Sequence, residues 1–318
     1  MSLLSLLIAL MAERTLSTKV WQFSFYYHYY STFFSKNFTA RQGVKASAVF
    51  IGLPVILSYI VIEVIDNTLV ELLLSTVILI VCFGCTATRG RYKSYLHSAF
   101  RGEDTTTDMH HQQLISDKNL PEMGFGQALI WLNYRYYIAI MLFFTVFGAA
   151  GAIFYRLLTT VIEHKQAQCI ATAHAKKAET EVDTKNDEHI EYINIDSVNE
   201  PELKVTHEGN VVPNIISGCQ NHHDVLFWLD WLPVRIASFG YMFVGHFSKA
   251  MPIWLESLFD SQKPTHQILI DVAEKSEDIM VNADDCTAEP CLLVRLAKRT
   301  VLLVLAVISI LTLAGLLN

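Results

Sequence analysis

Residues 301–317, VLLVLAVISILTLAGLL, contain no charged side chain and decide the class of fold. Arg295, Lys298 and Arg299 precede this stretch, so positive charge borders it on its N-terminal side only. A transmembrane helix needs about 20 consecutive apolar residues, and a cationic border on one side is typical of such a helix. We therefore predict that this stretch crosses a lipid bilayer.

The rest of the chain is nearly as apolar. Of its 318 residues, 52% are hydrophobic and only 17% are charged, with a formal net charge of −7. The mean hydropathy is +0.32. Soluble domains have about 25% charged residues, so this composition excludes an ordinary soluble domain. The lipid bilayer is the predicted surrounding, and no basic tract predicts a nucleic-acid partner.

Three more stretches, residues 46–65, 69–85 and 137–154, have the length and composition of membrane-spanning helices. Glu63 and Glu71 flank the short connection between the first two, so both acids are expected at the membrane surface, at the tip of a helical hairpin. A fifth stretch, residues 225–247, is interrupted by charges and a proline. It either crosses the bilayer or dips into it and returns.

The predicted fold is an all-α, polytopic membrane protein with four to five transmembrane or re-entrant helices and interfacial amphipathic helices. Residues 1–11 are apolar but too short to span. Residues 21–34, WQFSFYYHYYSTFF, are rich in aromatic residues with polar tips. They predict either an interfacial helix or a helix whose rings pack on the bundle.

The distribution of lysine and arginine predicts the orientation. The hairpin tip has none, whereas both flanks are basic: Arg14, Lys19, Lys36, Arg41 and Lys45 before the hairpin, and Arg89, Arg91, Lys93 and Arg101 after it. The positive-inside rule places both flanks in the cytoplasm and directs the last helix outward. If residues 137–154 cross outward, residues 225–247 must cross back, unless each of them dips in and returns.

Acidic residues are concentrated in residues 179–208 and 271–289, which we expect to be solvated loops. Residues 174–218 are predicted to be a polar insertion of low order, with one short strand at residues 191–195. No repeat or linker marks a second domain, so residues 1–318 are predicted to form a single membrane domain.

The chain contains no nucleotide-binding glycine motif and no nucleophile elbow. Cys82 and Cys85 have C-x-x-C spacing but lie at the end of a membrane helix. The paired histidines at 110–111 and 222–223 point to different sides of a helix if they are helical. We therefore predict no catalytic residues, no metal site and no cofactor.

The strongest local feature is DWLPVR at residues 230–235. If Asp230 is a helix N-cap, Pro233 falls in the first turn and Arg235 projects beside Trp231. Arginine near a helix start within a membrane favours binding of a carboxylate, a phosphate or a lipid headgroup. Pairing with Asp230 or extension to the membrane surface is the alternative. Small residues at 148–152, GAAGA, predict close helix packing.

Several segments resemble one family: LIALMAER at residues 7–14, QALIWLNYR at 127–135, GAIFYR at 151–156, and DWLPVR followed by GHFSKAMPIW at 245–254. They are similar to the AmpE family of bacterial inner-membrane proteins associated with β-lactamase induction. The resemblance implies a regulatory protein that responds to β-lactam or cell-wall state. The implied partners are cytoplasmic or membrane components of that pathway.

The AmpE family is itself distantly similar to the CobD/CbiB adenosylcobinamide-phosphate synthases, and a related membrane enzyme is the alternative function. Those synthases carry an acidic, amide-rich run before the Gly-Ala element. The corresponding residues 127–138 have no carboxylate here, which favours a regulator over an enzyme. The predicted ligand-binding residues are Asn133, Arg135, Asp230 and Arg235.

Overall fold

The computed structural model describes residues 2–16, 18–37, 44–65, 67–84, 86–186, 220–260, 262–277 and 287–316. Within these residues the chain forms helices and no strand, which confirms the all-α prediction. The helices are α1 (Ser2–Thr15), α2 (Phe23–Asn37), α3 (Val44–Val64), α4 (Thr68–Phe83), α5 (Thr86–Phe100), α6 (Asp104–Lys118), α7 (Phe125–Asn133), α8 (Ala139–Asn186), α9 (Gln220–Val244), α10 (Phe247–Leu258), α11 (Thr265–Ser276) and α12 (Ala288–Leu313). A 3-10 turn covers Lys19–Trp21, and a π-helical turn, Tyr134–Ile138, joins α7 to α8.

Three helical stretches are long and apolar enough to cross a bilayer: Ser47–Val64, Phe125–Lys165 and Ala288–Leu313. The pair Thr68–Phe83 and Ala87–Phe100, bent by 40°, would form a fourth. The chain is thus a polytopic helical protein, as predicted. The doubtful stretch at residues 225–247 lies mainly in α9, which is not among these candidates.

Helices α3 and α4 follow each other around the predicted hairpin tip. None of the residues in the α3 span is buried, so this helix presents its apolar side chains outward. The Asn67 side chain accepts a hydrogen bond from the Leu69 N–H at 3.0 Å and caps the start of α4. Glu63 lies in the last turn of α3 and Glu71 in the first turn of α4, both beside the tip.

The chain reverses direction at Gly148, within α8. Gly148 has φ +64° and ψ −158°, a conformation that only glycine adopts readily. A Cβ on Gly151 would lie 2.5 Å from the carbonyl oxygen of Phe143, eight residues earlier. A continuous helix would separate these positions by about 12 Å. The rings of Phe143 and Tyr155 stack at 4.8 Å, which also requires the two arms to lie side by side.

Residues 137–154 therefore do not form one straight span, and of the two predicted alternatives the structure favours the re-entrant one. The segment is a helical hairpin, with a first arm up to Phe147 and a second arm from Ala149 onward. Both arms lead away from the turn on the same side, so the chain returns to the side from which it enters. The small residues around the turn allow this close approach. A return crossing by α9 is consequently not required.

Helix α9 is continuous from Gln220 to Val244 and contains Pro233 in its interior. Asp230 lies well inside this helix, so the prediction of an N-cap at Asp230 and of an interrupted helix there is wrong. One face of α9 is exposed and apolar: Val225, Trp228, Leu232, Ile236, Phe239 and Phe243. The opposite face, which includes Asp230 and Tyr241, is buried.

Two of the segments predicted to be polar and irregular are helical in part. Helix α8 extends to Asn186, so the first residues of the predicted insertion at 174–218 are helical. The predicted strand at 191–195 lies outside the described residues. Residues 271–276 belong to α11, where Val272 and Ala273 are fully buried. These apolar side chains, placed between acidic ones, explain why this part is not a solvated loop.

Helix α2, which contains most of the aromatic stretch, has features of both predicted alternatives. In α2, Phe23 and Phe34 are buried, and the Tyr30 hydroxyl donates a hydrogen bond to the Phe50 carbonyl oxygen at 2.9 Å. On the other side of α2, Phe25 and Tyr29 are exposed. One face of α2 therefore packs on α3, while the other has the composition of an interfacial surface.

Candidate functional site

Buried and partly buried polar side chains at the hairpin form the candidate site, which we call the polar cluster: Asn133, Tyr134, Arg135, Tyr136, Tyr155, Arg156, Glu163, Asp230 and Tyr241, with Lys118 at its edge. The π-helical turn supplies Tyr134, Arg135 and Tyr136 from three consecutive positions. The second hairpin arm supplies Tyr155, Arg156 and Glu163. A π-helical turn is rare, and such turns are frequent at functional sites.

Asp230 anchors α9 to both arms of the hairpin. Its side chain is 1% exposed, and Oδ1 accepts hydrogen bonds from the Tyr134 hydroxyl at 2.7 Å and the Tyr155 hydroxyl at 2.9 Å. Burial of a carboxylate is costly unless hydrogen bonds compensate for it. The two tyrosines provide this compensation and fix the position of α9 relative to the turn.

Arg135 lies between an acid and an aromatic ring. Its Nη1 lies 3.4 Å from Oε1 of Glu163, and its guanidinium carbon lies 4.9 Å from the centre of the Trp131 ring. Arg135 also interacts electrostatically with Asp230. The Nε of Arg135 is buried and has no hydrogen-bond partner in the described structure.

Arg156 is 7% exposed and lies between two aromatic rings. Its guanidinium carbon lies 4.4 Å from the centre of the Tyr136 ring and 5.2 Å from that of Phe23. Both Nε and Nη1 of Arg156 are buried without a hydrogen-bond partner in the described structure. The rings therefore hold the guanidinium group in place but leave two of its nitrogens unsatisfied.

Lys118 extends from α6 to the edge of the polar cluster. Its Nζ donates a hydrogen bond to the Tyr136 hydroxyl at 2.9 Å. Burial acts to lower the pKa of Lys118, but the nearby Tyr136 and Glu163 side chains outweigh this effect and hold the pKa above its ordinary value. Lys118 is therefore a cation at neutral pH and adds positive charge to the cluster.

Of the four residues predicted to bind a ligand, the structure brings three together. Asn133 accepts a hydrogen bond from the Tyr241 hydroxyl at 3.5 Å, and Arg135 and Asp230 lie in the same cluster. Arg235 does not join them, because it points toward α10. Sequence reasoning missed Lys118 and Glu163, since no local pattern places them beside Arg135.

Arg235 holds the C-terminal end of α10 against α9. Its guanidinium nitrogens donate hydrogen bonds to four backbone carbonyl oxygens, those of Trp231 at 2.9 Å, Ser257 at 3.1 Å, Leu258 at 2.7 Å and Asp260 at 2.7 Å. Its guanidinium carbon lies 4.2 Å from the centre of the Trp231 ring, beside which it was expected. The contacts of Arg235 are thus those of a helix cap.

Comparison with known proteins agrees with the resemblance in the sequence. A family model described as "Regulatory signalling modulator protein AmpE" matches residues 1–195 and 214–318. The chain belongs to the AmpE family. Protein AmpE of Shigella flexneri is 25% identical over 326 residues, which cover 99% of each chain. No solved structure matches this AmpE-family chain. The comparisons do not support the CobD/CbiB resemblance.

Family membership and the apolar helices together make this AmpE-family chain a multi-pass membrane protein of a regulatory signalling family. Within the described part of the chain, no three His, Cys, Asp or Glu side chains are placed to hold a metal ion. What the polar cluster offers instead is a set of buried and partly buried guanidinium and amide groups. Such groups are suited to recognising an anion.

Proposed function

We propose that this AmpE-family protein is a regulator of β-lactamase induction in the bacterial inner membrane, responding to β-lactam or cell-wall state. The observation that carries the proposal is the match to a family of regulatory signalling modulators over nearly the whole chain. A role in signalling rather than catalysis is supported by the lack of carboxylates in residues 127–138, where the resembled synthases have them.

The polar cluster lies close to the flank that is predicted to be cytoplasmic. Arg89, in the flank predicted to be cytoplasmic, pairs with Glu13 at 2.8 Å. Glu13 also accepts a hydrogen bond from the Tyr137 hydroxyl at 3.1 Å, and Tyr137 is adjacent in the chain to Tyr136 of the cluster. The cluster therefore lies at the same level as the basic flank. By the positive-inside rule this is the cytoplasmic edge of the membrane.

We propose Asn133, Arg135 and Asp230 as ligand contacts, with Arg235 acting through the position of α10. These contacts join α7, the hairpin and α9, so a ligand bound among them changes how the helices are held together. A ligand shifts a conformational equilibrium only to the extent that it binds one state more tightly. Components of the β-lactamase regulatory pathway, in the cytoplasm or in the membrane, are the proposed partners.

The test is a deletion of the gene followed by measurement of β-lactamase activity after exposure to a β-lactam below its inhibitory concentration. We expect altered induction, restored by the wild-type gene and by the control variant Gly52→Ala, whose added methyl group meets no atom within 4 Å. The variant Arg135→Gln should restore less, at equal membrane abundance measured by immunoblot. Unchanged induction in the deletion strain would exclude this function in the species tested.

A further inference from the structure

Among the described residues, three guanidinium nitrogens in the polar cluster have no hydrogen-bond partner: Nε of Arg135, and Nε and Nη1 of Arg156. All three are buried, and the Arg156 side chain as a whole is 7% exposed. Nearly all buried polar groups in proteins are hydrogen-bonded, and an unsatisfied group that carries charge is the most costly case. These nitrogens therefore indicate a partner outside the described part of the chain.

The charges around these nitrogens are unbalanced. Glu163 pairs with Arg135 at 3.4 Å and also interacts electrostatically with Lys118 and Arg156. One carboxylate is thus shared by three cations. Asp230 lies near Arg135, but its Oδ1 already accepts two tyrosine hydroxyl hydrogen bonds. Even with Asp230 counted as an anion, the cations of the cluster outnumber the carboxylates.

Water molecules would satisfy the N–H groups but would leave the excess of positive charge. An anion does both, and in a site of low dielectric constant neutralising charge has the larger effect. A tetrahedral oxyanion with several acceptor oxygens also suits three unsatisfied guanidinium nitrogens and an ammonium group that come from three elements. A carboxylate ligand offers fewer oxygens than there are donors.

We infer that Lys118, Arg135 and Arg156 bind a phosphate group between α6, the π-helical turn and the second hairpin arm. Lys118 and Glu163 lie at the outer edge of this site, with the Glu163 side chain 17% exposed, so the phosphate reaches it from that edge. The edge is level with the basic cytoplasmic flank, where both lipid headgroups and dissolved phosphate are present. The phosphate site rests on the proposed function in sharing Arg135 with its ligand contacts, but it does not depend on a role in induction.

The experiment uses the full-length protein purified in a neutral detergent. Binding of radiolabelled inorganic phosphate is measured by equilibrium dialysis at constant ionic strength, with chloride as the competing anion. In a second arm, the melting temperature is compared in phosphatidylcholine nanodiscs with and without phosphatidic acid. A group bound only by the folded state raises the melting temperature. The first arm detects free phosphate, and the second detects a lipid phosphate.

Three variants assign the site. Arg156→Gln should weaken binding at least about tenfold, because it removes a charged donor pair. Arg156→Lys should be intermediate, since lysine retains the charge without the planar fork. Arg101→Gln is the matched control, because Arg101 is 62% exposed and pairs only with Glu103 at 3.7 Å among the ion pairs described for it. Its binding should equal that of the wild type.

The inference is supported by saturable binding of inorganic phosphate in the first arm or by a higher melting temperature with phosphatidic acid in the second. In either case the effect must be weaker in Arg156→Gln and unchanged in Arg101→Gln, and the arm that responds identifies the source of the phosphate. No binding to the wild-type protein in either arm overturns it, as does equal binding by Arg156→Gln. If Arg156→Gln does not fold, Lys118→Gln at the half-buried edge replaces it and must weaken binding. Binding without any induction phenotype would leave the phosphate site standing and remove the proposed regulatory role.

Discussion

Substitution of Gly151 by alanine tests the chain reversal on which the polar cluster depends. The added Cβ would lie 2.5 Å from the Phe143 carbonyl oxygen and 2.6 Å from the Phe147 Cβ. Carbon atoms in contact are normally about 3.5–4.0 Å apart. Neither of these atoms belongs to a flexible side-chain end, so the two hairpin arms must separate.

Overpacking of this kind costs about 1–3 kcal/mol. A second variant, Gly148→Ala, acts on the same turn by a different cause, because a side chain at φ +64° is strained by about 1–3 kcal/mol. The matched control is Gly52→Ala in α3, where the Cβ meets nothing within 4 Å. Replacing glycine within a helix should leave the stability unchanged or raise it by about 0.5–1 kcal/mol.

The assay is thermal unfolding of the purified proteins in detergent, followed by tryptophan fluorescence and by the fraction that remains monodisperse on size-exclusion chromatography. We expect Gly151→Ala and Gly148→Ala to melt below the wild type and Gly52→Ala to melt at or above it. If Gly151→Ala melts like Gly52→Ala, residues 139–165 do not form a hairpin. The assembly of the polar cluster would then need another explanation.

Substitutions at three further positions test the buried polar contacts by thermal unfolding. Arg235→Ala should destabilise the protein by about 2–4 kcal/mol, because four carbonyl oxygens lose their donor; an unchanged melting curve would contradict the capping role. Asp230→Ala should cost about 1–3 kcal/mol, because the Tyr134 and Tyr155 hydroxyls lose a buried acceptor, whereas Asp230→Asn, which keeps an acceptor, should cost less. Glu13→Ala should cost about 1–3 kcal/mol, since Arg89 and Tyr137 both lose a partner, and equal stability would refute this.

The apolar helices could be predicted because hydropathy is a local property. Residues 46–65 and 301–317 are uncharged or nearly so, and each needs no partner to favour a bilayer. The family resemblance likewise rests on short segments read directly from the chain. The polar tip between α3 and α4 could be placed because a carboxylate within hydrocarbon is costly wherever the rest of the protein lies.

The polar cluster could be predicted only in part. Asn133 and Arg135 could be predicted as the strong polar members, besides Gln127, of residues 127–138, and Asp230 from the DWLPVR motif. Arg156 appears in the GAIFYR segment, but its importance follows from its unsatisfied nitrogens, which depend on the positions of Phe23 and Tyr136. Lys118 comes from a polar helix with no apolar pattern to connect it with the site.

The sequence by itself determined that this protein is helical, lies in a membrane and belongs with the AmpE family, because these properties follow from local composition and short motifs. The tertiary structure alone decided that residues 137–154 turn back at Gly148, since that reversal depends on the contact between Gly151 and the Phe143 backbone. It also decided what Arg235 does. Its partners are carbonyl oxygens at the end of another helix, and backbone groups carry no signal in an amino-acid sequence.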